Sequence, residues 1–241
     1  MRPISRMSMV HEILKIEGLS AGYGPLRVLH EIDFSVNEGE RIGLVGLNGH
    51  GKSTLMRSVM SLVGWQNGSI KIKGQEIGGA RSTGAGRRTH AIVQMGVALT
   101  PQGDAIFPGM TVAQHLDCGA YSKIAWRERA KRRDAVMDIF PPLRKLETAL
   151  VGTLSGGERR MVSVGRALMT EASLYLIDEP SLGLAPKISR SVLDALFSLP
   201  REGKAMVIAE QNVALLAGKV DRMVGMHAGR LRGDVGHVAL S

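Results

Sequence analysis

Three short runs in this chain have the residue types and spacing to do chemistry. The first is GLNGHGKS, residues 46–53, which fits G-x-x-x-x-G-K-[ST]. Gly46, Leu47, Asn48, Gly49, His50 and Gly51 form a loop whose backbone N–H groups can turn inward around phosphate oxygens. Lys52 can reach β- and γ-phosphates, Ser53 can offer its hydroxyl to magnesium, and Thr54 follows at the same phosphate-binding end. The second run is LYLIDEP, 174–180, an apolar strand ending in two acids. Asp178 can join a magnesium shell, and Glu179, which projects differently, can polarise an attacking water. Adjacent acids at a buried strand end are costly unless cations compensate, and Lys52 with magnesium would do so. The third run is LSGGE, 154–158. Ser155 can cap a helix there, while Gly156 and Gly157 permit a tight entry and a second anion site.

These runs need strands and helices to hold them. RIGLVG is a short apolar strand ahead of the phosphate loop, and STLMRSVMSLV follows it with Leu55, Val59 and Leu62 at helical spacing. EILKIEGLSAGYG alternates as an edge strand would, and VLHEIDFSVNEGE is a second alternating strand closed at Glu38-Gly39. Strands near 69–73 and 96–100 bracket GGARSTGAGRR, a Gly-rich basic loop leading into a short helix. Residues 110–153 read as mainly helical, broken at Pro141-Pro142. RRMVSVGRALM is a helix with Met161, Val164 and Leu168 on one face. Ile188, Val192, Ala195 and Leu199 mark another, AMVIAE is a strand, and RMVGMHAGRLRG is a terminal hairpin. Alternating strands and helices predict an α/β fold with a mainly parallel sheet.

The chain has 241 residues, 44% hydrophobic, enough for one large α/β domain or a domain with an inserted subdomain. Its single cysteine, Cys118, excludes an internal disulfide and suits a reducing compartment. No apolar leader core follows Arg2 and Arg6, and no run of about 18 apolar residues predicts a membrane span. The net charge is +9, and the clearest charge run is RERAKRRD, 127–134. Trp126, Ala130, Met137 and Phe140 mark an apolar stripe beside that run, which reads as a solvated helix face. No stacking aromatics interleave with the charges, so no nucleic acid is expected.

In that order, the phosphate loop, LSGGE and LYLIDEP resemble the ATP-binding subunit of an ATP-binding-cassette (ABC) transporter, over about residues 13–230. The resemblance implies a P-loop NTPase (RecA-like) core, an N-terminal antiparallel β subdomain and an inserted helical subdomain. It divides the domain 11–241 into a core with the β subdomain (11–98), a helical subdomain ending in the signature (99–157) and the second part of the core with the hairpin (158–241). ATP and Mg2+ are the implied cofactors. A head-to-tail dimer is implied, in which the phosphate loop of one chain meets LSGGE of a second ABC ATPase, itself or a paralogue, across ATP. Membrane permease subunits and, indirectly, a periplasmic solute-binding protein are the further partners. The implied location is peripheral, at the cytoplasmic face of the inner membrane.

The same resemblance gives roles to single residues. Tyr23 in SAGYG would stack on adenine, although the residue alone reads equally well as a turn aromatic. Gln102 in LTPQGDAIFPGMTV would touch magnesium and water and sense the membrane partner. PSLGLAP, 180–186, would cross the dimer interface. Gln211 in VIAEQN stands where most of the family has a histidine contacting the γ-phosphate. An amide there can donate a hydrogen bond but cannot act as a base near neutral pH, which leaves Glu179 to carry the water chemistry.

SGGERRMVSVGRALM, DEPSLGLAP and AEQN together resemble the importers of branched-chain amino acids, in particular their second ATPase subunit. That subunit commonly has glutamate where this chain has Gln102, and the urea and short-chain amide importers commonly have glutamine. Both solute classes stay open at this point. LSGGERR departs from the commoner glutamine-rich continuation, and His50 replaces a small residue. A non-transport ATPase acting on ribosomes or DNA would carry paired cassettes or long coiled-coil insertions, which this chain lacks. A GTPase would carry an N-K-x-D guanine motif, also lacking.

Overall fold

The computed structural model of the chain describes residues 11–77, 85–103 and 105–234. Two long alternating strands come first, β1 (Glu12–Tyr23) and β2 (Leu26–Asn37), and β3 (Arg41–Val45) follows. Next come α1 (Lys52–Val59), β4 (Trp65–Ile72), the short β5 (Gln75–Glu76), α2 (Ala85–Gln94) and β6 (Val97–Thr100). A helical stretch holds α3 (Val112–Asp117), α4 (Lys123–Arg127) and α5 (Arg129–Ile139), then 3-10 turns at Pro141–Leu146 and Val151–Thr153. The chain closes with α6 (Gly156–Leu168), β7 (Leu174–Asp178), α7 (Pro186–Phe197), β8 (Ala205–Glu210), β9 (Arg222–His227) and β10 (Arg230–Asp234).

The strands form two sheets. An antiparallel sheet runs β2-β1-β4-β5, and a second sheet runs β10-β9-β3-β8-β7-β6. In the second, β9, β3, β8, β7 and β6 are parallel neighbours, and β10 pairs antiparallel at its edge. Every residue of β3, β7 and β8 is buried, as expected for parallel strands covered on both faces. Successive side chains point to opposite faces. Leu174 and Leu176 therefore enter the core shared with the antiparallel sheet and α1. Tyr175 and Ile177 enter the other core, built with α3, α5, α6 and α7. The catalytic candidates lie at the carboxyl ends of β3, β7 and β8, on three adjacent strands.

Four expectations need correction. β1 is no edge strand, because it pairs with β2 on one side and β4 on the other. Alternation reports one buried face and carries no count of neighbours. The stripe through Trp126 and Ala130 does not form either. α4 ends at Glu128, where φ −97° and ψ 8° interrupt the helix, so the residues before and after share no face. Trp126 and Ala130 are exposed, Arg129 stacks 4.3 Å over the indole, and burial falls to Val136, Met137 and Phe140. Leu62 and Leu199 lie beyond the ends of α1 and α7. The buried face of α7 is Ser189, Val192, Leu193 and Leu196, and Ile188 and Ala195 pack partly against the same core.

Two of the five cations of the basic run are neutralised inside the chain. Arg132 pairs with Glu128 and Glu171, and Arg133 with Asp117 and Glu147. Of GGARSTGAGRR, residues 78–84 lie outside the described residues, and the rest begins α2. No helix of the described residues is long and apolar enough to cross a membrane.

Candidate active site

β3 runs directly into the glycine loop, and the loop's shape depends on small residues. A Cβ on Gly46 would stand 2.3 Å from the Met226 carbonyl oxygen, so the loop can leave the sheet there only as glycine. Gly51 caps α1 at φ 107°, a left-handed conformation open to glycine, and provides no side-chain cap. The first N–H groups of α1 are thus left to a ligand, with the positive end of the helix dipole behind them. Asn48, Gly49, Lys52, Ser53, Gln102 and Glu179 line one cavity of about 270 Å³, with Thr54 and Val28 at its walls.

The charges around that cavity are tightly arranged. Lys52 Nζ donates to the Gly46 and Leu47 carbonyls at 2.7 and 3.1 Å and pairs with Glu179 Oε1 at 3.0 Å. Gln102 Nε2 donates to Glu179 Oε2 at 3.0 Å. One carboxylate thus joins the phosphate loop to the Gln102 segment. Glu179 itself is held at φ 45°, with its N–H on the Ala209 carbonyl at 3.0 Å. A non-glycine residue there stores about 1–3 kcal/mol of strain, and such strain persists only where surrounding contacts over-determine it.

Asp178 is buried, and its Oδ1 has no hydrogen-bond partner among the described residues. Burial pushes its pKa up, and the Ser53 hydroxyl bonded to it pulls the other way. An orphaned buried carboxylate oxygen beside a hydroxyl is an all-oxygen donor pair. It fits a hard divalent cation that completes its shell with water and phosphate oxygens.

β8 lies between β3 and β7, so its end sits between the phosphate loop and the acids. Gly46 N–H reaches the Glu210 carbonyl at 3.4 Å. The Glu210 side chain turns to the loop after the acids, accepting from Ser181 N and Oγ at 3.0 and 2.8 Å. Burial pushes the Glu210 pKa up. Gln211, next in sequence, is exposed and does not line the cavity.

The signature is elsewhere. Ser155 caps α6 in a full capping box with Glu158, and Ser155 and Gly156 are exposed. A Cβ on Gly157 would meet Ile188 Cγ2 at 2.9 Å, so glycine sets the close approach to α7. None of the three lines the phosphate cavity. Tyr23 is half-exposed at the end of β1, on the hairpin whose second strand supplies Val28. His50 packs edge-on against His227 at 4.6 Å between centroids, with Nδ1 3.3 Å from the Met226 carbonyl oxygen.

Residues 29–182 match the family model described as ABC transporter. The chain belongs to the ABC transporter family. It is 34% identical over 219 residues to the high-affinity branched-chain amino acid transport ATP-binding protein BraG of Pseudomonas aeruginosa, covering 91% of each chain. It is 34% identical over 202 residues to the probable branched-chain amino acid transport ATP-binding protein LivF of Archaeoglobus fulgidus, covering 83% of this chain and 82% of that one. Among solved structures it resembles a dimeric, post-hydrolysis ATP-binding cassette bound to ADP and Pi, with a TM-score of 0.77. That likeness has 20% identity and covers 92% of this chain and 97% of the other, so it bears on the fold alone. The P-loop fold expected from the motifs is therefore the fold of this ABC ATPase, a nucleotide-binding, ATP-hydrolysing transport subunit.

Two further polar residues of the site carry a signal in the sequence. Glu210 ends a wholly apolar strand, where a carboxylate needs a reason. Arg160 stands four residues before Val164, on the face of α6 marked as apolar, and it is 2% exposed.

Proposed function

We propose that this ABC ATPase binds Mg·ATP in the cavity at the ends of β3 and β7 and energises uptake of branched-chain amino acids or a related small polar solute. The contact that carries the catalytic reading is the Lys52–Glu179–Gln102 chain, with Asp178 Oδ1 open beside Ser53. Loop N–H groups from Gly46 to Gly51 and the N-terminus of α1 would bind the phosphates. Lys52 would neutralise charge on the β- and γ-oxygens, leaving Glu179 to accept a water proton. Ser53 and Asp178 would hold magnesium, with Gln102 near it. When bound, that ion supplies charge neutralisation at the transferring phosphoryl group. Gln211 would orient and sense the γ-phosphate, and Tyr23 would stack on the adenine.

Ser155, Gly156 and Gly157 would complete the site of a second ATPase subunit head to tail. Their exposure on a rigid, capped helix start favours this role. Membrane permease subunits and a periplasmic binding protein would complete the importer and place this chain at the cytoplasmic face of the membrane.

The relatives named for branched-chain amino acids favour that solute class. One observation favours a urea or short-chain amide importer instead. Gln102 donates to Glu179, a bond that a glutamate at that position could not make as a carboxylate. Reconstitution with the co-purifying membrane subunits and binding protein separates the two. ATP-dependent leucine uptake is the expected result, and uptake of urea or acetamide without leucine uptake selects the second reading.

A further inference from the structure

The side chain of Arg160 reaches both segments that flank the catalytic carboxylate. Its Nε donates to the Pro180 carbonyl at 3.2 Å, and its Nη2 to the Asp178 and Glu179 carbonyls at 2.7 and 2.8 Å. Its Nη1 donates to the Pro101 carbonyl at 3.2 Å and to the Gly103 carbonyl. Three of these oxygens are consecutive and form the turn in which Glu179 is held at positive φ. The other two belong to the residues on either side of Gln102. Glu179 and Gln102 meet through their side chains at 3.0 Å, so both ends of that contact hang on one guanidinium.

We propose that Arg160 is a positioning residue, which locks the Glu179 turn and the Gln102 segment to the signature helix so that the three move as one unit. The guanidinium is a planar fork of five N–H donors, and here it is spread over five backbone carbonyls. Lysine offers three tetrahedral donors and glutamine two, so neither can bridge both segments as fully. Arg160 lies in the second turn of α6, and Ser155 caps the same helix, so a displacement of the Gln102 segment is passed to the exposed signature. The phosphate loop hangs instead from β3 and α1, and none of the five carbonyls lies in either. Loss of the fork therefore misplaces the carboxylate and the amide while leaving the phosphate cradle intact.

The inference rests on the reading of Glu179 as the residue that polarises water, and the test separates the two. Arg160→Gln and Arg160→Lys are compared with wild type by amide hydrogen exchange and steady-state hydrolysis. In both variants, exchange should rise about tenfold in peptides spanning 99–103 and 178–182 together, as follows from ~1.4 kcal/mol lost at each segment, with β1 and β4 unchanged. kcat should fall about 10- to 100-fold with KM for ATP within about threefold, since a misplacement near 1 Å can cost that much. In Arg160→Gly, millimolar guanidinium should restore part of kcat and methylammonium should not. Exchange that rises in one segment only, or equally throughout the protein, overturns the proposal. Glu179→Gln is assayed alongside. If it hydrolyses ATP like wild type, the catalytic reading fails, while the exchange pattern still decides the role of Arg160.

Discussion

Two helices of this protein start at glycine-containing turns beside motif residues, and they start in opposite ways. α1 begins after Gly51, with no side-chain cap, and its first residue, Lys52, is 3% exposed. α6 begins after Ser155, whose hydroxyl and N–H are both engaged by Glu158, and the turn is exposed. The first start keeps donors open and sets its own buried Lys52 among buried acids at the ends of β7 and β8. The second satisfies its own cap and presents a fixed edge outward. An uncapped start behind a cavity is built to take a ligand within its own chain. Under the proposed function, the capped, exposed start meets the nucleotide held by a second ATPase subunit. Arg160 connects the two, because it grows from α6 and grips the turn that faces α1.

The contrast can be broken most sharply at Glu179. Glu179→Gln should retain nucleotide binding and lower hydrolysis about 10²- to 10⁴-fold, measured as phosphate release beside nucleotide titration. Near-normal turnover would remove the chemistry from the α1 end. Lys52→Ala comes next. It should weaken ATP binding about 10- to 100-fold, as expected for losing a charge-assisted contact, and it should lower the melting temperature because Glu179 is left buried without its cation.

Ser155→Ala tests the other helix start. It should cost about 1 kcal/mol of stability through the lost cap and leave ATP binding by the isolated chain unchanged. Its effect on hydrolysis should emerge only at concentrations where the subunits associate. Loss of binding by the isolated chain would erase the distinction between the two helix starts.

The smallest effect concerns pH and lies away from both. His115 is fully buried in α3, and burial, with Arg166 nearby, lowers its pKa from 6.5 to about 4. The unfolded chain then binds the proton more readily than the folded one, so stability falls as pH drops from 6.5 towards about 4. His115→Gln should flatten that part of the melting-temperature profile. Glu210 contributes with the opposite sign. Its raised pKa means that the folded state holds the proton longer, and stability is lost as pH rises above 4.5. Glu210→Gln should reduce that loss. A profile unchanged by both variants would place the pH response elsewhere.

Much of the site was legible because its chemistry is local. GLNGHGKS between a strand and a helix defines a phosphate cradle from eight consecutive residues. LYLIDEP puts two acids at the end of a strand that can only be buried. The apolar runs of β3, β7 and β8 and the helical period of α6 were equally readable. It misled where local pattern and tertiary context diverge. β1 shows the alternation of an edge strand and sits inside a sheet. Trp126 continues a helical stripe across a break at Glu128 that only backbone geometry reveals. Arg160 was legible only in part. Its place on the apolar face of α6 is in the sequence, but the five carbonyls from two distant segments that converge on it are not.

The sequence by itself determined the phosphate loop, the acid pair, the signature and the family they belong to. Each depends on residue types at fixed short spacing, where backbone geometry leaves little freedom. Only the tertiary structure decided that β8 inserts between β3 and β7, bringing its last residue, Glu210, between the loop and the acids. The same holds for the Glu179 carboxylate, which bridges Lys52 and Gln102. These meetings join residues from 31 positions apart, Asp178 and Ala209, to 165 apart, Val45 and Glu210. Their geometry is set by strand order and by buried charges that must find partners, and neither quantity is written in any local stretch of the chain.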